Sequence, residues 1–444
     1  LMAGVSGVRG VVGDGLDPEV LLRYASAFAT SLGPGPIVFG GDSRPSGPAL
    51  RHAVLAALLG MGRDVLDIGI VPTPTVQLSV ERFHAAGGIA LTASHNPVQW
   101  NALKFVGPDG CFLAPDTAKK FLDSVDEPKA WVRWDGLGKH ELVSDALQNH
   151  KQLVLDLDEV DVEAIRARKL KVVLDAVHGA GGAIGRMLLE ALGTDFEIMY
   201  EEPTGQFPRI PEPVAENLTA LAARVKETGA DLGMAFDPDV DRLSLVDENG
   251  VAIGEEFTLA LCADHVLSVK PGPVVTNLST SARMEAVAKR HDQEVTRTPV
   301  GEAHVVKGIT DRQARIGGEG NGGVILPALH LGRDAPGGLA LVLAGLVSRG
   351  ETLSAWAGSL PPLEMVKTKL DLTAGFDLDK AATAISKLLP NNEIDKRDGI
   401  RVTGPEGWVH LRKSGTEPII RIIAESGSRE FSEALIEAAR TGLS

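Results

Sequence analysis

Short apolar runs recur along the first three quarters of the chain, and a turn rich in glycine and serine follows each of them. Three runs open similar units, at residues 36–39, 171–174 and 273–276. Each leads into a stretch with apolar residues at helical spacing, at 49–59, 183–192 and 282–291. A second strand is predicted after each helix, at 64–68, 196–199 and 294–297. Strand, helix and strand at this spacing predict parallel pairing with right-handed crossovers.

Each unit closes with one more apolar strand that leads into a loop of reactive side chains. Residues 88–91 precede Thr-Ala-Ser-His-Asn-Pro at 92–97, and residues 231–235 precede Asp-Pro-Asp-Val-Asp-Arg at 237–242. Residues 315–317 precede Gly-Glu-Gly-Asn-Gly-Gly at 318–323. Ligands of α/β sheets bind beyond the carboxyl ends of the strands. We therefore expect the three loops to converge on one cleft.

The chain changes character at about residue 361. Helical patterns at 379–389 and 430–441 flank strand patterns at 407–412 and 419–424, which predicts an α+β module. Arg-Lys-Ser-Gly-Thr-Glu-Pro lies between the two strands, at 412–418. Hydroxyl, guanidinium and backbone N–H donors around a glycine suit a phosphate group.

Composition narrows the class of protein. The 444 residues are too many for one core and predict about three domains. The net charge of −15 argues against a nucleic-acid partner. The longest apolar stretch, near 338–347, is too short to span a bilayer, and no signal-peptide pattern opens the sequence. With two cysteines that form no disulfide framework, these features predict a cytoplasmic enzyme without a membrane partner.

The serine loop and the aspartate loop together indicate a reaction type. A serine needs a base, a metal or a strong electrostatic setting to act as a nucleophile. Three carboxylates at alternate positions, followed by an arginine, suit a small hard cation beside a phosphate. An acidic run alone is more often a solvated or calcium-binding loop, but this one lacks the glycine and glutamate of an EF-hand. The pair predicts metal-assisted phosphoryl transfer through a phosphoserine.

With Gly-Val-Arg-Gly at 7–10 added, the motifs and their order resemble the α-D-phosphohexomutases over essentially the whole chain. This family includes phosphoglucomutase, phosphomannomutase and phosphoglucosamine mutase. The resemblance implies an α/β fold with three related mixed-sheet α/β domains and a smaller C-terminal α+β domain around a central cleft. The implied domains are 1–150 with the phosphoserine loop, 151–254 with the metal loop, 255–360 with the sugar-binding loop and 361–444 with the phosphate-binding loop.

The resemblance also implies a role for individual residues. Ser94 would carry the phosphoryl group, and Mg²⁺ would be held by Ser94, Asp237, Asp239 and Asp241. Lys104 is the leading candidate for the general base, Arg9 would act electrostatically, and His95 would either fix the serine loop or carry a proton. The residues expected to bind substrate are Arg242, Glu319, Asn321, Arg412, Ser414, Gly415, Thr416 and Arg421.

The reaction implied is the interconversion of hexose 1-phosphate and 6-phosphate through a 1,6-bisphosphate, which also serves as activator. The Asn321 loop resembles that of members acting on glucosamine phosphate, so this small sugar phosphate is the first choice of substrate. A phosphoglucomutase/phosphomannomutase of broad specificity stays open, as do a serine-dependent sugar phosphatase and a non-catalytic sugar-phosphate sensor. Monomer and homodimer both stay open. Gly323 stands where a histidine often closes the Gly-Glu loop, so no proton-transfer role is carried over to it.

Overall fold

The fold consists of four β-sheets with their helices, arranged along the chain. The computed structural model describes residues 1–4, 7–371, 377–413 and 419–443. The first sheet has eight strands in the order β1-β2-β7-β6-β4-β5-β8, and β3 pairs with β2. Its strands are β1 Met2–Gly4, β2 Gly7–Val12, β3 Gly15–Leu16, β4 Ile37–Gly41, β5 Val65–Ile70, β6 Gly87–Leu91, β7 Trp100–Val106 and β8 His140–Leu142. Its helices are α1 Pro18–Ser31, α2 Gly47–Gly60, α3 Thr73–Arg82 and α4 Pro115–Asp123.

The second and third sheets have four strands each and repeat one topology. Their strand orders are β10-β9-β11-β12 and β14-β13-β15-β16. The second domain contains α5 Ala146–Leu155, α6 Val162–Arg168, β9 Lys171–Asp175, α7 Gly181–Ala191, β10 Asp195–Met199, α8 Thr219–Thr228, β11 Leu232–Phe236 and β12 Leu243–Asp247. The third contains α9 Glu255–Val269, β13 Val274–Asn277, α10 Arg283–Arg290, β14 Val295–Thr298, α11 Glu302–Arg312, β15 Ile316–Glu319, β16 Gly323–Ile325, α12 Ala335–Arg349 and α13 Leu353–Gly358.

The fourth sheet is antiparallel, with the order β17-β21-β20-β19-β18. Its elements are β17 Glu364–Asp371, α14 Leu378–Ser386, β18 Glu393–Asp395, β19 Ile400–Gly404, β20 Gly407–Lys413, β21 Ile419–Ser426 and α15 Arg429–Leu443.

The strand pairing confirms the predicted fold class. The three pairs that a helix connects, β4 with β5, β9 with β10 and β13 with β14, are parallel. In each sheet a hairpin return (β7, β12 or β16) adds an antiparallel strand, so all three sheets are mixed. The loops between β6 and β7, β11 and β12, and β15 and β16 therefore lie at equivalent sheet ends.

One hydrophobic core spans the second and third domains. It contains Leu174, Phe236, Leu261 and Leu343, all fully buried, from elements of both domains. Helices α9 and α12 pack against each other inside it, which explains why residues 338–347 read as a continuous apolar stretch. No helix within the described ranges is both long enough and apolar enough to cross a lipid bilayer.

Candidate active site

Ser94 lies at the turn that follows β6. Its φ of 50° is left-handed, a conformation that costs a side-chain-bearing residue about 1 kcal/mol. Its backbone N–H donates to Thr92 Oγ1 at 3.0 Å, and the Thr92 hydroxyl donates to Asp42 Oδ2 at 2.6 Å. In this conformation the hydroxyl of Ser94 reaches Asp237 of the second domain.

Arg44 holds this loop in place through hydrogen bonds to its backbone. The side chain is buried, and its Nε donates to Asp42 Oδ2 at 3.0 Å. Because Asp42 also accepts from Thr92, one buried ion pair orients both ends of the serine turn. The other guanidinium N–H groups donate at 2.6–2.9 Å to four carbonyl oxygens of the loop, those of Ser94, Asn96, Pro97 and Trp100.

Replacing Arg44 with lysine is expected to lower the free energy of unfolding by about 3 kcal/mol, because several buried carbonyls lose their donor. Turnover is expected to fall as well, since the serine turn is no longer held. Urea unfolding and steady-state rates measure the two effects. Arg23→Lys is the control, because Arg23 pairs with Asp126 on the surface and its replacement should change stability little. Equal stability of the two variants would contradict the assigned role of Arg44.

The aspartate loop follows β11 and closes on itself. Asp237 Oδ1 accepts the backbone N–H groups of Asp241 and Arg242, both at 3.2 Å. This turn folds the three carboxylates inward, and all three are buried. Ser94 Oγ donates to Asp237 Oδ2 at 2.9 Å, so the serine of the first domain meets the carboxylates of the second.

The donor set fits a divalent metal ion. One carboxylate oxygen from each of Asp237, Asp239 and Asp241 lies within 4.8 Å of the others. Asp239 Oδ1 and Asp241 Oδ1 are buried without a hydrogen-bond partner. Buried carboxylate oxygens without a donor are costly unless a cation binds them. An all-oxygen set of three carboxylates beside a hydroxyl is the chemistry that Mg²⁺ prefers.

Charge crowding shifts the pKa values in this cluster. Burial and the neighbouring charges of Asp241 and Asp239 raise the pKa of Asp237 well above its ordinary value. Burial also acts to raise the pKa of Asp239, but the Lys104 ammonium together with the hydrogen bonds to Asp239 outweighs burial and holds this pKa below its usual range. Lys104 Nζ donates to Asp239 Oδ2 at 2.6 Å and lies 3.7 Å from Asp241 Oδ2.

The pKa of Lys104 moves in the direction opposite to the one expected of a general base. Burial alone would lower it, but the carboxylates of Asp239 and Asp241 outweigh burial and raise it. The role of Lys104 as the general base stays a prediction. The raised pKa comes from the ion pairs with Asp239 and Asp241, which nothing in the local sequence reveals.

His95 and Arg9 lie on the first-domain side of the site. His95 Nδ1 is 3.4 Å from Ser94 Oγ, which is long for a hydrogen bond. Burial and the charge of Arg242 lower the pKa of His95 well below its ordinary value, and Arg9 adds to this effect. On β2, Arg9 pairs with Ala102, two residues from Lys104 on β7, so Arg9 and Lys104 share one face of the sheet.

The Gly-Glu loop forms the third-domain wall. Glu319 is buried, and its Oε1 accepts from Asn277 Nδ2 at 2.9 Å and from the N–H of Gly301 at 3.1 Å. Burial acts to raise the pKa of Glu319, but Arg333 and Asn277 outweigh it and leave this pKa lowered. Asn321 Oδ1 accepts the N–H of Gly323 at 3.1 Å, which shapes the turn.

Gly322 is a position of this loop that requires glycine. Gly322 has a φ of +87°, and a Cβ there would lie 2.4 Å from the carbonyl oxygen of Leu243. The carbonyl of Gly322 in turn accepts the N–H of Leu243 at 3.0 Å. This contact joins the Gly-Glu loop to the strand that follows the aspartate loop.

A cleft of about 360 Å³ connects these walls to the fourth domain. Arg412 and Arg421 line it and face each other directly across β20 and β21. Arg412 Nε lies 3.2 Å from Asp398 Oδ2, so a carboxylate of the chain offsets part of the positive charge at this cross-strand pair. The predicted Ser414, Gly415 and Thr416 lie outside the described residues. The other predicted site residues that line the cleft are His95, Arg242, Glu319 and Asn321.

A half-exposed ion pair that no sequence motif indicates closes one side of the cleft. Lys367 Nζ, on β17, donates to Glu255 Oε1 at 2.7 Å and to Glu256 Oε1 at 3.0 Å. Burial raises the pKa of Glu256 to about 7, although the Lys367 ammonium acts in the opposite direction. This contact joins the fourth domain to the third.

The raised pKa of Glu256 predicts a pH dependence of stability. Because the folded state holds this proton more tightly than the unfolded state does, its stabilising contribution is full below pH 4.5 and is lost as the pH rises toward 7. Relative to wild type, Glu256→Gln is expected to gain about 2 kcal/mol in free energy of unfolding between pH 5 and pH 8. Urea unfolding of both proteins at the two pH values measures the gain. A difference independent of pH would contradict the raised pKa.

Arg333 and Glu302 are two further residues of the site that motif reading did not select. Arg333 contacts Asp241, Glu302 and Glu319, and all four side chains are buried. One feature of the sequence could have indicated Arg333. It lies between an apolar strand and the start of an apolar helix, and an arginine in such a buried position is expected to have a charged partner.

Four family models match the chain in order. They describe the α/β/α domains I, II and III of phosphoglucomutase/phosphomannomutase, over residues 1–130, 150–250 and 255–363, and the C-terminal domain, over residues 368–440. The chain belongs to the phosphoglucomutase/phosphomannomutase family. The resemblance inferred from its motifs is thereby confirmed, and as a family member the chain is a phosphohexomutase, an isomerase.

Relatives in this family match over nearly the whole chain. A phosphoglucomutase/phosphomannomutase of Thermococcus kodakarensis is 37% identical, covering 98% of this chain and 96% of its own. A probable phosphoglucosamine mutase of Methanopyrus kandleri is 36% identical, covering 97% and 95%. The crystal structure of a phosphoglucomutase/phosphomannomutase family protein from Burkholderia thailandensis superposes with a TM-score of 0.85 at 28% identity, covering 100% of this chain and 98% of that one.

Proposed function

We propose that this phosphohexomutase interconverts glucosamine 1-phosphate and glucosamine 6-phosphate, using phosphorylated Ser94 and a 1,6-bisphosphate intermediate. The observation that carries the phosphoserine chemistry is the 2.9 Å hydrogen bond between Ser94 Oγ and Asp237, within a triad in which two buried oxygens accept no hydrogen bond. Mg²⁺ is the proposed ion, with Asp237, Asp239 and Asp241 as its ligands. It would supply charge neutralisation to the transferring phosphoryl group.

Other residues of the chain position the serine, stabilise the transferred phosphoryl group and bind the second phosphate. Arg44 holds the Ser94 turn, and Arg242 lies at the cleft beside the last aspartate, where a cation stabilises phosphoryl oxygens. Arg412 and Arg421 hold the phosphate that stays on the sugar. This distal contact favours a mutase over a serine phosphatase, because a bound bisphosphate that turns over in the cleft can return a phosphoryl group to the serine. The proton acceptor for the attacking hydroxyl stays a choice between Lys104 and His95.

The carboxylates of the cleft favour an amino sugar. Four cations that suit the phosphate groups line the cleft, Arg242, Lys367, Arg412 and Arg421, and five glutamates lie among them, Glu212, Glu216, Glu255, Glu256 and Glu319. An ammonium group at carbon 2 offers such carboxylates a partner that a hydroxyl does not, and charge-assisted hydrogen bonds are about twice as strong as neutral ones. The name of the Methanopyrus kandleri relative points in the same direction.

A mutase acting on glucose and mannose phosphates is the second candidate. The name of the Thermococcus kodakarensis relative, which is 37% identical, favours it. In that case the two phosphate sites provide most of the binding energy, and the contacts to the sugar hydroxyls discriminate little between one hexose and another.

A side-by-side rate comparison tests the proposal. Glucosamine, glucose and mannose 1-phosphates are supplied with Mg²⁺ and the matching bisphosphate. We expect the amino sugar to give the highest kcat/KM, and this preference to decline above about pH 8, where an amine of this type loses its proton. Comparable values for all three sugars would support the broad mutase instead. No isomerisation of any of them would overturn the proposed function.

A further inference from the structure

Arg333 joins carboxylates from three separate elements of the site. It lies between β16 and α12, and its side chain is only 11% exposed. Nη2 donates to Asp241 Oδ2 and Nη1 to Glu319 Oε2, both at 2.7 Å, while Nε lies 2.8 Å from Glu302 Oε2. One guanidinium therefore contacts the aspartate loop of the second domain, the Gly-Glu loop of the third and the start of α11.

The backbone around Arg333 fixes the path of its side chain. A Cβ at Gly323 would lie 2.3 Å from Arg333 Cδ, so the arginine passes through space that only glycine leaves open. The backbone directly after Arg333 is fixed, because the N–H of Asp334 donates to the Val324 carbonyl at 2.8 Å and Asp334 Oδ1 caps α12 by accepting the N–H of Gly337 at 2.6 Å. The guanidinium is held by its backbone as well as by its partners.

This contact selects which carboxylate oxygens remain available. On Asp241, Arg333 engages Oδ2, and the buried Oδ1 is left without a hydrogen-bond partner. On Glu319, Arg333 engages Oε2, while Asn277 and Gly301 donate to Oε1. The planar guanidinium suits such a task, because its N–H groups point in fixed directions that an ammonium cannot reproduce.

We propose that Arg333 is a positioning residue that couples the aspartate triad to the sugar-binding wall. It orients Asp241 so that one oxygen faces the cation, and it shares its charge between this aspartate and Glu319. A change at Glu319 therefore reaches the cation site through Arg333. The inference rests on the proposed function, in which the triad binds a metal ion and Glu319 lies at the sugar.

Mn²⁺ is the probe for the first test, because it prefers the same oxygen ligands as Mg²⁺ and the free ion is visible by electron paramagnetic resonance. Arg333→Lys keeps the positive charge but loses the fork of N–H donors. We expect its dissociation constant for Mn²⁺ to rise about fivefold or more relative to wild type. The matched control is Arg51→Lys, which alters an ion pair with Asp67 in the first domain, outside the cleft. An unchanged Mn²⁺ affinity in Arg333→Lys would overturn the proposal.

A double-mutant cycle separates coupling from simple electrostatics. Glu319→Gln removes a contact that holds the Arg333 guanidinium in place, so Asp241 is oriented less well and Mn²⁺ binding should weaken in the wild-type background. In an Arg333→Met background only the direct effect of the lost Glu319 charge remains. We expect the two effects of Glu319→Gln to differ by about fivefold or more, because residues in one ion-pair network are not additive. Equal effects in the two backgrounds would overturn the coupling.

Failure of this inference is distinguishable from failure of the proposed function. The cycle is measured by metal binding to the full chain, without turnover. Wild-type protein that binds Mn²⁺ and isomerises a hexose phosphate, but shows no coupling through Arg333, would refute the inference alone. Wild-type protein that binds no Mn²⁺ would refute both.

Discussion

Replacing Ser94 with alanine is expected to reduce the turnover of hexose phosphate by about 10⁴-fold or more, because the group that carries the phosphoryl is removed. Binding of hexose phosphate should persist, since Arg412, Arg421 and Glu319 are untouched and the alanine fits the space of the serine. Steady-state rates with a bisphosphate activator measure the first effect, and isothermal titration with the monophosphate measures the second. Loss of turnover with retained binding is the pattern that the phosphoserine mechanism requires.

Ser26→Ala is the control for this experiment. Ser26 is also buried in the first domain, but its hydroxyl donates to the Leu22 carbonyl at 2.6 Å within α1, away from the cleft. Its replacement should leave turnover close to the wild-type value. A Ser94→Ala protein that retains a tenth or more of the wild-type rate, a loss far smaller than removal of a nucleophile causes, would contradict nucleophilic catalysis by this residue.

Replacing Asp237 with asparagine is expected to lower turnover by about 10³-fold while leaving the metal-free protein at least as stable as wild type. The amide oxygen can still accept from the N–H groups of Asp241 and Arg242, and the amide nitrogen can donate to Ser94 Oγ. Meanwhile one charge leaves a cluster in which burial and two neighbouring carboxylates already raise the pKa of Asp237. A residue whose removal costs activity but not stability is typical of a functional site.

Thermal unfolding without metal, Mn²⁺ titration and steady-state rates measure the three quantities. Asp231→Asn is the matched control, because Asp231 lies just before the opposite end of β11 and accepts the N–H of Lys171 at 2.7 Å. It should retain metal binding and turnover. An Asp237→Asn protein that melts well below wild type, with Mn²⁺ affinity intact, would show that Asp237 serves the fold instead of the metal.

The sheets were predictable because buried parallel strands appear as short apolar runs. The run at 171–174 became β9, Lys171–Asp175, and the run at 273–276 became β13, Val274–Asn277. The prediction that the reactive loops lie at the same end of each sheet depends only on the succession of strands and helices along the chain and on the handedness of their crossovers. Helices α9 and α12 are buried on all sides, so periodicity alone does not reveal their mutual packing.

The contacts of the site were less predictable because they join residues far apart in sequence. Arg333 and Asp241 are separated by 92 positions and Lys367 and Glu256 by 111, and no local pattern indicates either pair. The pKa of Lys104 illustrates the same point. The pKa is raised by a carboxylate 135 positions away, so nothing in the sequence around Lys104 indicates its direction.

Transfer of a phosphoryl group to and from Ser94 is the central claim, and mass spectrometry of the intact and digested protein tests it directly. After incubation with Mg²⁺ and a hexose 1,6-bisphosphate, the account predicts one added phosphate, located on the peptide that contains Ser94. On addition of the hexose monophosphate, this phosphate should leave the protein and appear in newly formed bisphosphate. Isomerisation that proceeds while Ser94 stays unmodified, or a phosphate found on another residue, would contradict the account.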